Sequence, residues 1–229
     1  MDPRIPLPPG RKLILCYVTD RRSLTLASSS ASGESAGLAE NALIKSIQIA
    51  AAAGVDWIQI REKDLESRAL ARLVRRASET TRGSGAKILV NDRLDVALSA
   101  GAAGVHLGEA SLPVETVAEW RRFAGRGEFQ IGVSCHSIEA ARTAERGGAD
   151  YVFFGPVFPT PSKAAFGPPQ GIARLREVCA AVRIPVLAIG GVSIENTVAC
   201  IEAGASGVAA IRLFQETPNA AGRLKAGAT

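Results

Sequence analysis

A chain of 229 residues with 47% hydrophobic and 21% charged residues is long enough to bury one sizeable core. No stretch approaches the roughly 18 consecutive apolar residues of a membrane span, and Met1 to Lys12, with its prolines and mixed charges, does not read as a secretory signal. The net charge of +5 is spread among acidic residues and only two tyrosines are available for stacking, so anionic small molecules explain the balance better than nucleic acid does. The expectation is a cytoplasmic protein without a membrane or nucleic-acid partner.

Residues 1–12 read as an N-terminal extension, and a single domain runs from 13 to 229. Short runs rich in Val, Ile and Leu predict eight strands: Leu13-Val18, Trp57-Ile60, Lys87-Val90, Gly104-Leu107, Gln130-Val133, Tyr151-Phe154, Pro185-Ile189 and Gly207-Ile211. Between them, helical spacing predicts Leu38-Ala53, Ser67-Thr81, Leu94-Ala100, Pro113-Phe123, Ile138-Arg146, Gly171-Val182, Ile194-Ala203 and Pro218-Lys225. The serine-rich insertion Ser23 to Gly37 is too polar and small to pack, and reads as a mobile loop after the first strand.

Strict strand-helix alternation implies a parallel sheet covered by helices. An echo at Ala53-Gly54, Ala100-Gly101, Gly147-Gly148 and Ala203-Gly204 places glycine where helices stop in left-handed caps. Eight such units in about this length fit a single (β/α)8 TIM barrel, which typically takes about 250 residues. A doubly wound sheet is the alternative.

The run Gln59-Ile60-Arg61-Glu62-Lys63 continues the second strand. Alternation sends Gln59, Arg61 and Lys63 to one face, with Ile60 and Glu62 on the other. An amide and two cations at a strand end suit a polyphosphate, because guanidinium offers paired donors and ammonium a point charge. The other candidate polar residues also follow strands, where barrel enzymes build their sites: Asn91-Asp92, Glu109 to Ser111, Ser134-Cys135-His136 and Gly155 to Lys163. Gly190-Gly191 follows the seventh strand, where glycine amides and a helix N-terminus seat phosphates, and Ile211-Arg212 ends the eighth.

Asp92 can hold magnesium or cap the helix that begins near Arg93. His136 suits acid/base work or packing of the next helix. His106, inside an apolar strand, reads as a hydrogen-bonded core residue. The four cysteines, Cys16, Cys135, Cys179 and Cys200, lack metal spacing and read as free, mostly buried thiols.

Gln59-x-Arg61-x-Lys63, Asn91-Asp92-Arg93-x-Asp95-Val96-Ala97, Gly104-Val105-His106-Leu107-Gly108, Gly132-Val133-Ser134, Gly155-Pro156-Val157-Phe158-Pro159-Thr160-x-Ser162-Lys163 and Ala188-Ile189-Gly190-Gly191-Val192 together resemble the thiamine-phosphate synthase family, which includes a thiazole tautomerase. The resemblance implies a barrel that joins an aminopyrimidine methyl diphosphate to a thiazole phosphate and releases diphosphate. It implies that Gln59, Arg61, Lys63, Asn91, Ser134 and Lys163 hold the pyrimidine diphosphate, with Arg61, Lys63 and Lys163 acting in catalysis and Asp92 on Mg2+. Thr160, Ser162, Gly190, Gly191 and the backbone around Ile211 and Arg212 would hold the thiazole phosphate. A homo-oligomer is compatible with such a barrel.

Three departures stand out. Where the family usually reads Gly-Gln-Glu-Asp, with the Asp on magnesium, this chain has Gly108-Glu109-Ala110-Ser111, so Glu109 or Ser111 would have to replace a missing carboxylate. Arg212 stands at a usual serine, and the serine-rich insertion has no counterpart. A weakened metal site would suit the metal-free tautomerase with His136 as acid/base, whereas retention of Gln59, Lys63 and Asp92 favours the synthase. A non-catalytic barrel that binds the precursors is the remaining alternative.

Overall fold

The fold follows from a twofold sorting of side chains along eight short strands. In the computed structural model, which describes residues 4–7, 10, 12–25, 35–160, 168–217 and 219–228, they close into one parallel barrel in sequence order. The strands are β1 (Ile14–Val18), β2 (Trp57–Ile60), β3 (Lys87–Asn91), β4 (Gly104–Leu107), β5 (Gln130–Cys135), β6 (Tyr151–Phe154), β7 (Val186–Ile189) and β8 (Gly207–Ala210). The pairing of Tyr17 with Ala210 across β1 and β8 closes the ring and excludes the doubly wound sheet.

Ten helices are found among the described residues: α1 (Arg21–Thr25), α2 (Ser35–Ala52), α3 (Ser67–Thr80), α4 (Leu94–Ser99), α5 (Val114–Phe123), α6 (Ile138–Arg146), α7 (Gly171–Ala181), α8 (Ile194–Glu202), α9 (Arg212–Glu216) and α10 (Ala220–Gly227). None is long and apolar enough to cross a membrane. The segment expected as a loop from Ser23 to Gly37 is helical at both ends, in α1 and at the start of α2, while 26–34 lie outside the described residues. The short α1 and α9 carry too few residues to show a period, which is why the sequence pattern does not reveal them.

Along each strand, one set of side chains faces the helices and the other fills the barrel. Ile58, Ile60, Val105, Leu107, Ile131 and Val152 belong to the large outer cluster, whereas Cys16, Trp57, Leu89, Tyr151, Phe153 and Leu187 form a separate inner one. Parallel strands buried on both faces have no polar side, which explains their near-continuous apolar runs. Tyr151 finds room because Gly132 lies beside it: a Cβ there would stand 2.1 Å from the ring. At the opposite end from the strands' C-termini, Ile5 is fully buried and pairs with Ala228, so this part of the N-terminal stretch is tied to the last helix.

Helix ends follow the expected chemistry. Gly54, Gly101, Gly148 and Gly204 all have φ between +70° and +99°, in the left-handed region that terminates helices. All four cysteines are free; Cys16, Cys135 and Cys200 are buried and Cys179 is half-buried.

Candidate active site

The mouth of the barrel at the C-terminal strand ends is built in two halves. From β2 to β5 the inward-facing positions above the apolar interior carry polar side chains. Gln59 is buried, and its Nε2 donates to Oδ1 of Asn91 at 3.0 Å. That pairing leaves the Gln59 carbonyl oxygen and the Asn91 amino group as the atoms able to meet a ligand. Asn91 sits opposite His106, and His106 reaches Ser134 through Nε2 at 2.9 Å.

Arg61 follows Gln59 on the same side, half-buried, close enough to His106 to influence its titration. Its backbone N–H donates to Oγ1 of Thr19 at 2.9 Å. Glu62 points the other way and is buried, as alternation predicts. It accepts from Thr19 Oγ1 at 2.7 Å and from the Arg21 guanidinium at 2.9 Å. Asp64 takes a second Arg21 nitrogen at 2.5 Å and Arg22 at 2.9 Å, and the Arg21 guanidinium holds its carboxyl well below the ordinary carboxylate range. The two acids nearest Arg61 in sequence are therefore both engaged by the segment after β1. The Arg61 guanidinium itself makes no hydrogen bond or salt bridge to a described residue. Lys63 is exposed beyond the strand end.

His106 is fully buried, and burial first, then the Arg61 charge, pushes its pKa down to about 3. It is thus the hydrogen-bonded core histidine expected from its strand, yet it touches a candidate site residue, Ser134. Strand position alone could not reveal that contact. The sign that could have is the spacing: His106 and Ser134 occupy inward positions on neighbouring strands near the rim. Because β5 extends to Cys135, Ser134 is a strand residue rather than a loop residue. Burial raises the Cys135 thiol to about 12, which removes it as a nucleophile at neutral pH.

Asp92 has φ +66°, uncommon for a residue other than glycine. It does not cap α4: the N-cap residue is Arg93, and no side-chain cap bond is formed. Arg93 turns to Asp95 at 2.6 Å instead. The exposed Asp92 carboxylate makes no hydrogen bond or salt bridge among the described residues. A left-handed, uncommitted acid at a strand end fits one anchor of a magnesium ion, a cation that usually keeps waters and substrate phosphates as its other ligands. No cluster of three metal-ligating acids, histidines or cysteines exists among the described residues. Ser111 closes the β4 loop, accepting from the Gly108 amide at 2.7 Å. Glu109 is turned toward His136, 3.8 Å from its Nε2.

His136 donates from Nδ1 to the carbonyl of Gly155 at 2.5 Å. A carbonyl can only accept, so in the neutral ring Nε2 is left with a lone pair toward Glu109. The ring is half-buried, with Nε2 toward the exposed Glu109 carboxylate.

From β6 to β8, what the described residues bring to the mouth is mainly backbone. Gly190 and Gly191 have φ +91° and +67°. A Cβ on Gly190 would stand 2.6 Å from Pro156, and one on Gly191 2.5 Å from the carbonyl of Pro159. The β7 and β6 loops are held together by Phe158 N–H donating to Gly190 at 3.0 Å. Ser193 and Asn196 form a reciprocal capping box at the start of α8, and Asn196 Nδ2 also donates to Gly191 at 2.9 Å. Thr160 is half-buried on the β6 loop, Ile211 is the N-cap of α9 and Arg212 is exposed. Ser162 and Lys163 lie outside the described residues.

Residues 32–214 match the family model described as thiamine monophosphate synthase. A putative thiamine-phosphate synthase of Geobacter sulfurreducens is 45% identical over 184 residues, covering 80% of this chain and 84% of that protein. The thiamine-phosphate synthase of Roseiflexus castenholzii is 40% identical over 215 residues, 94% of this chain and 86% of its own. Among solved structures, the thiamine phosphate pyrophosphorylase from Pyrococcus furiosus superposes with a TM-score of 0.75 at 31% identity, over 94% of this chain and 95% of that one.

Proposed function

The chain belongs to the thiamine monophosphate synthase family, and on that premise we infer how its rim carries out thiamine-phosphate synthesis. The reaction joins 4-amino-2-methyl-5-pyrimidinylmethyl diphosphate to 4-methyl-5-(2-phosphooxyethyl)thiazole. The bond between the pyrimidine methylene carbon and the diphosphate oxygen breaks with its electron pair leaving on oxygen. The thiazole nitrogen then supplies the pair for the new C–N bond, giving thiamine phosphate and free diphosphate.

The task of the protein is to receive the negative charge that develops on the leaving oxygens. The single observation that carries this assignment is the half-buried Arg61 guanidinium, without an acidic partner among the described residues while Glu62 and Asp64 are held by Arg21 and Arg22. A cation kept clear of nearby carboxylates is prepared for an anionic ligand. Gln59 and Asn91, oriented by their mutual hydrogen bond, position the pyrimidine diphosphate beside it. Ser134 joins them, and Lys63 and Lys163 add positive charge.

Asp92 would hold magnesium, which when bound supplies further neutralisation of the diphosphate. A metal held there would need water and substrate oxygens for its other ligands, because Ser111 is held in the loop turn and Glu109 faces His136. On the other half of the rim, Gly190, Gly191, Thr160 and Ser162, with the backbone at Ile211 and Arg212, would seat the thiazole phosphate.

The placing of His136, with Nδ1 on the Gly155 carbonyl and Nε2 toward Glu109, is the one observation that favours a second activity, proton transfer on the thiazole phosphate as in a tautomerase. The two readings separate in one pair of assays. Purified protein with both precursors and Mg2+ is expected to form thiamine phosphate, and His136→Asn to retain that capacity. No product at saturating precursors, together with His136-dependent tautomerisation, would overturn the proposed use of the rim.

A further inference from the structure

Below Ser134 runs a hydrogen-bonded chain whose direction can be read from its far end. Tyr151 is fully buried, and among the described residues its hydroxyl has one hydrogen-bonding partner, Nδ1 of His106 at 3.1 Å. A phenol has a single proton. If Nδ1 were protonated, the phenol would accept there and its own proton would be stranded in the barrel interior, at the cost of an unsatisfied buried donor. The same objection applies to a doubly protonated ring. Tyr151 therefore donates, Nδ1 accepts, and the proton of the neutral imidazole resides on Nε2. Nε2 faces Oγ of Ser134 at 2.9 Å, so Ser134 accepts from His106. Its own hydroxyl proton then has no acceptor among the described residues and is left for the mouth of the barrel, where Arg61 attracts anionic oxygen.

We propose that Tyr151 and His106 are positioning residues that hold Ser134 as a hydrogen-bond donor toward an oxygen of the bound diphosphate. This inference rests on the placing of Ser134 in the diphosphate site proposed above. It gives that residue a polarity: with one lone pair taken by His106, the single proton of Ser134 is offered to an acceptor. It also gives Gly132 a purpose, since only a residue without a Cβ leaves space for the Tyr151 ring that starts the chain.

The chain has only two histidines, so nitrogen NMR of the whole protein labelled with [15N]histidine can resolve both rings, with His136→Asn assigning them. The expected result is a neutral Nε2–H tautomer for His106. Calorimetric binding of inorganic diphosphate with Mg2+ gives the second readout. Ser134→Ala and Tyr151→Phe, which retains the ring whose centroid lies 4.6 Å from that of Trp57, should each weaken binding about threefold to tenfold, the scale of one hydrogen bond. The double variant should bind no worse than Ser134→Ala, because both changes break one chain.

An Nδ1–H tautomer in the unaltered protein overturns the chain whatever the affinities, and so does an additive loss in the double variant. The expected tautomer combined with undiminished diphosphate binding by Ser134→Ala overturns the placing of Ser134 in the diphosphate site, and its role as donor falls with it. The tautomer is read on the unaltered protein, so a misfolded Tyr151→Phe does not remove the test.

Discussion

In the proposed use of the rim, its two halves solve the same problem, holding phosphate oxygens, with different materials. From β2 to β5, ordinary strand backbone presents Gln59, Arg61, Asn91 and Ser134, and binding depends on side-chain chemistry. From β6 to β8, Gly190 and Gly191 adopt left-handed backbone against Pro156 and Pro159, and the surface depends on chain shape. The difference teaches which changes separate function from folding. A side chain that projects into the mouth without protein partners can be removed with little loss of stability, whereas a glycine wedged against neighbouring backbone cannot gain a carbon without moving it.

The sharpest test of this contrast is Arg61→Ala. Its guanidinium has no described protein partner, so the thermal midpoint should hold while kcat/KM falls by about 10²–10³, comparable to the loss of one transition-state donor. A large loss of stability instead would break the comparison. Gly191→Ala should do the reverse, losing roughly 2–4 kcal/mol in urea unfolding through left-handed strain and overpacking, with a raised KM for the thiazole phosphate. A variant as stable as the parent would show that the β7 loop yields.

Asp92→Asn sharpens the charge side of the comparison. Asn tolerates the left-handed backbone as Asp does, so the fold should be kept while activity at limiting Mg2+ drops about 10–100-fold, partly restored at high Mg2+. Equal activity across a Mg2+ titration would remove Asp92 from the metal site.

The smallest effect concerns the interior beneath the side-chain half. His106 titrates near 3 when folded against an ordinary 6.5, so the unfolded chain binds the extra proton first. Its contribution is complete above the unfolded value and is lost as pH falls toward the folded one. At pH 5.5 that amounts to a loss on the order of 1 kcal/mol relative to pH 8. His106→Gln should flatten this part of the stability profile in urea unfolding, and an unchanged slope would assign it to other groups.

Legibility differed between the halves for a physical reason. Alternation correctly separated Gln59 and Arg61 from Glu62, because a strand's period of two is a local property. It could not foresee that Arg21 and Thr19, more than 40 residues earlier, would occupy Glu62. Gly190-Gly191 was legible as a turn after the seventh strand, but its necessity comes from Pro156 and Pro159 pressing on it. His106 read correctly as a core residue, while its bond to Ser134 required the β4–β5 register to be known. Asp92 offered two roles on local grounds, and the cap geometry at Arg93 removed one of them.

The sequence by itself determined the barrel, because eight apolar strands alternating with helices can bury both faces of a parallel sheet in few other ways. It also determined the family, through motifs lying in order at the strand ends. Tertiary structure decided which charges remain available and which polar groups face one another. Those properties depend on partners brought together by barrel closure, and no local period encodes a partner on another strand.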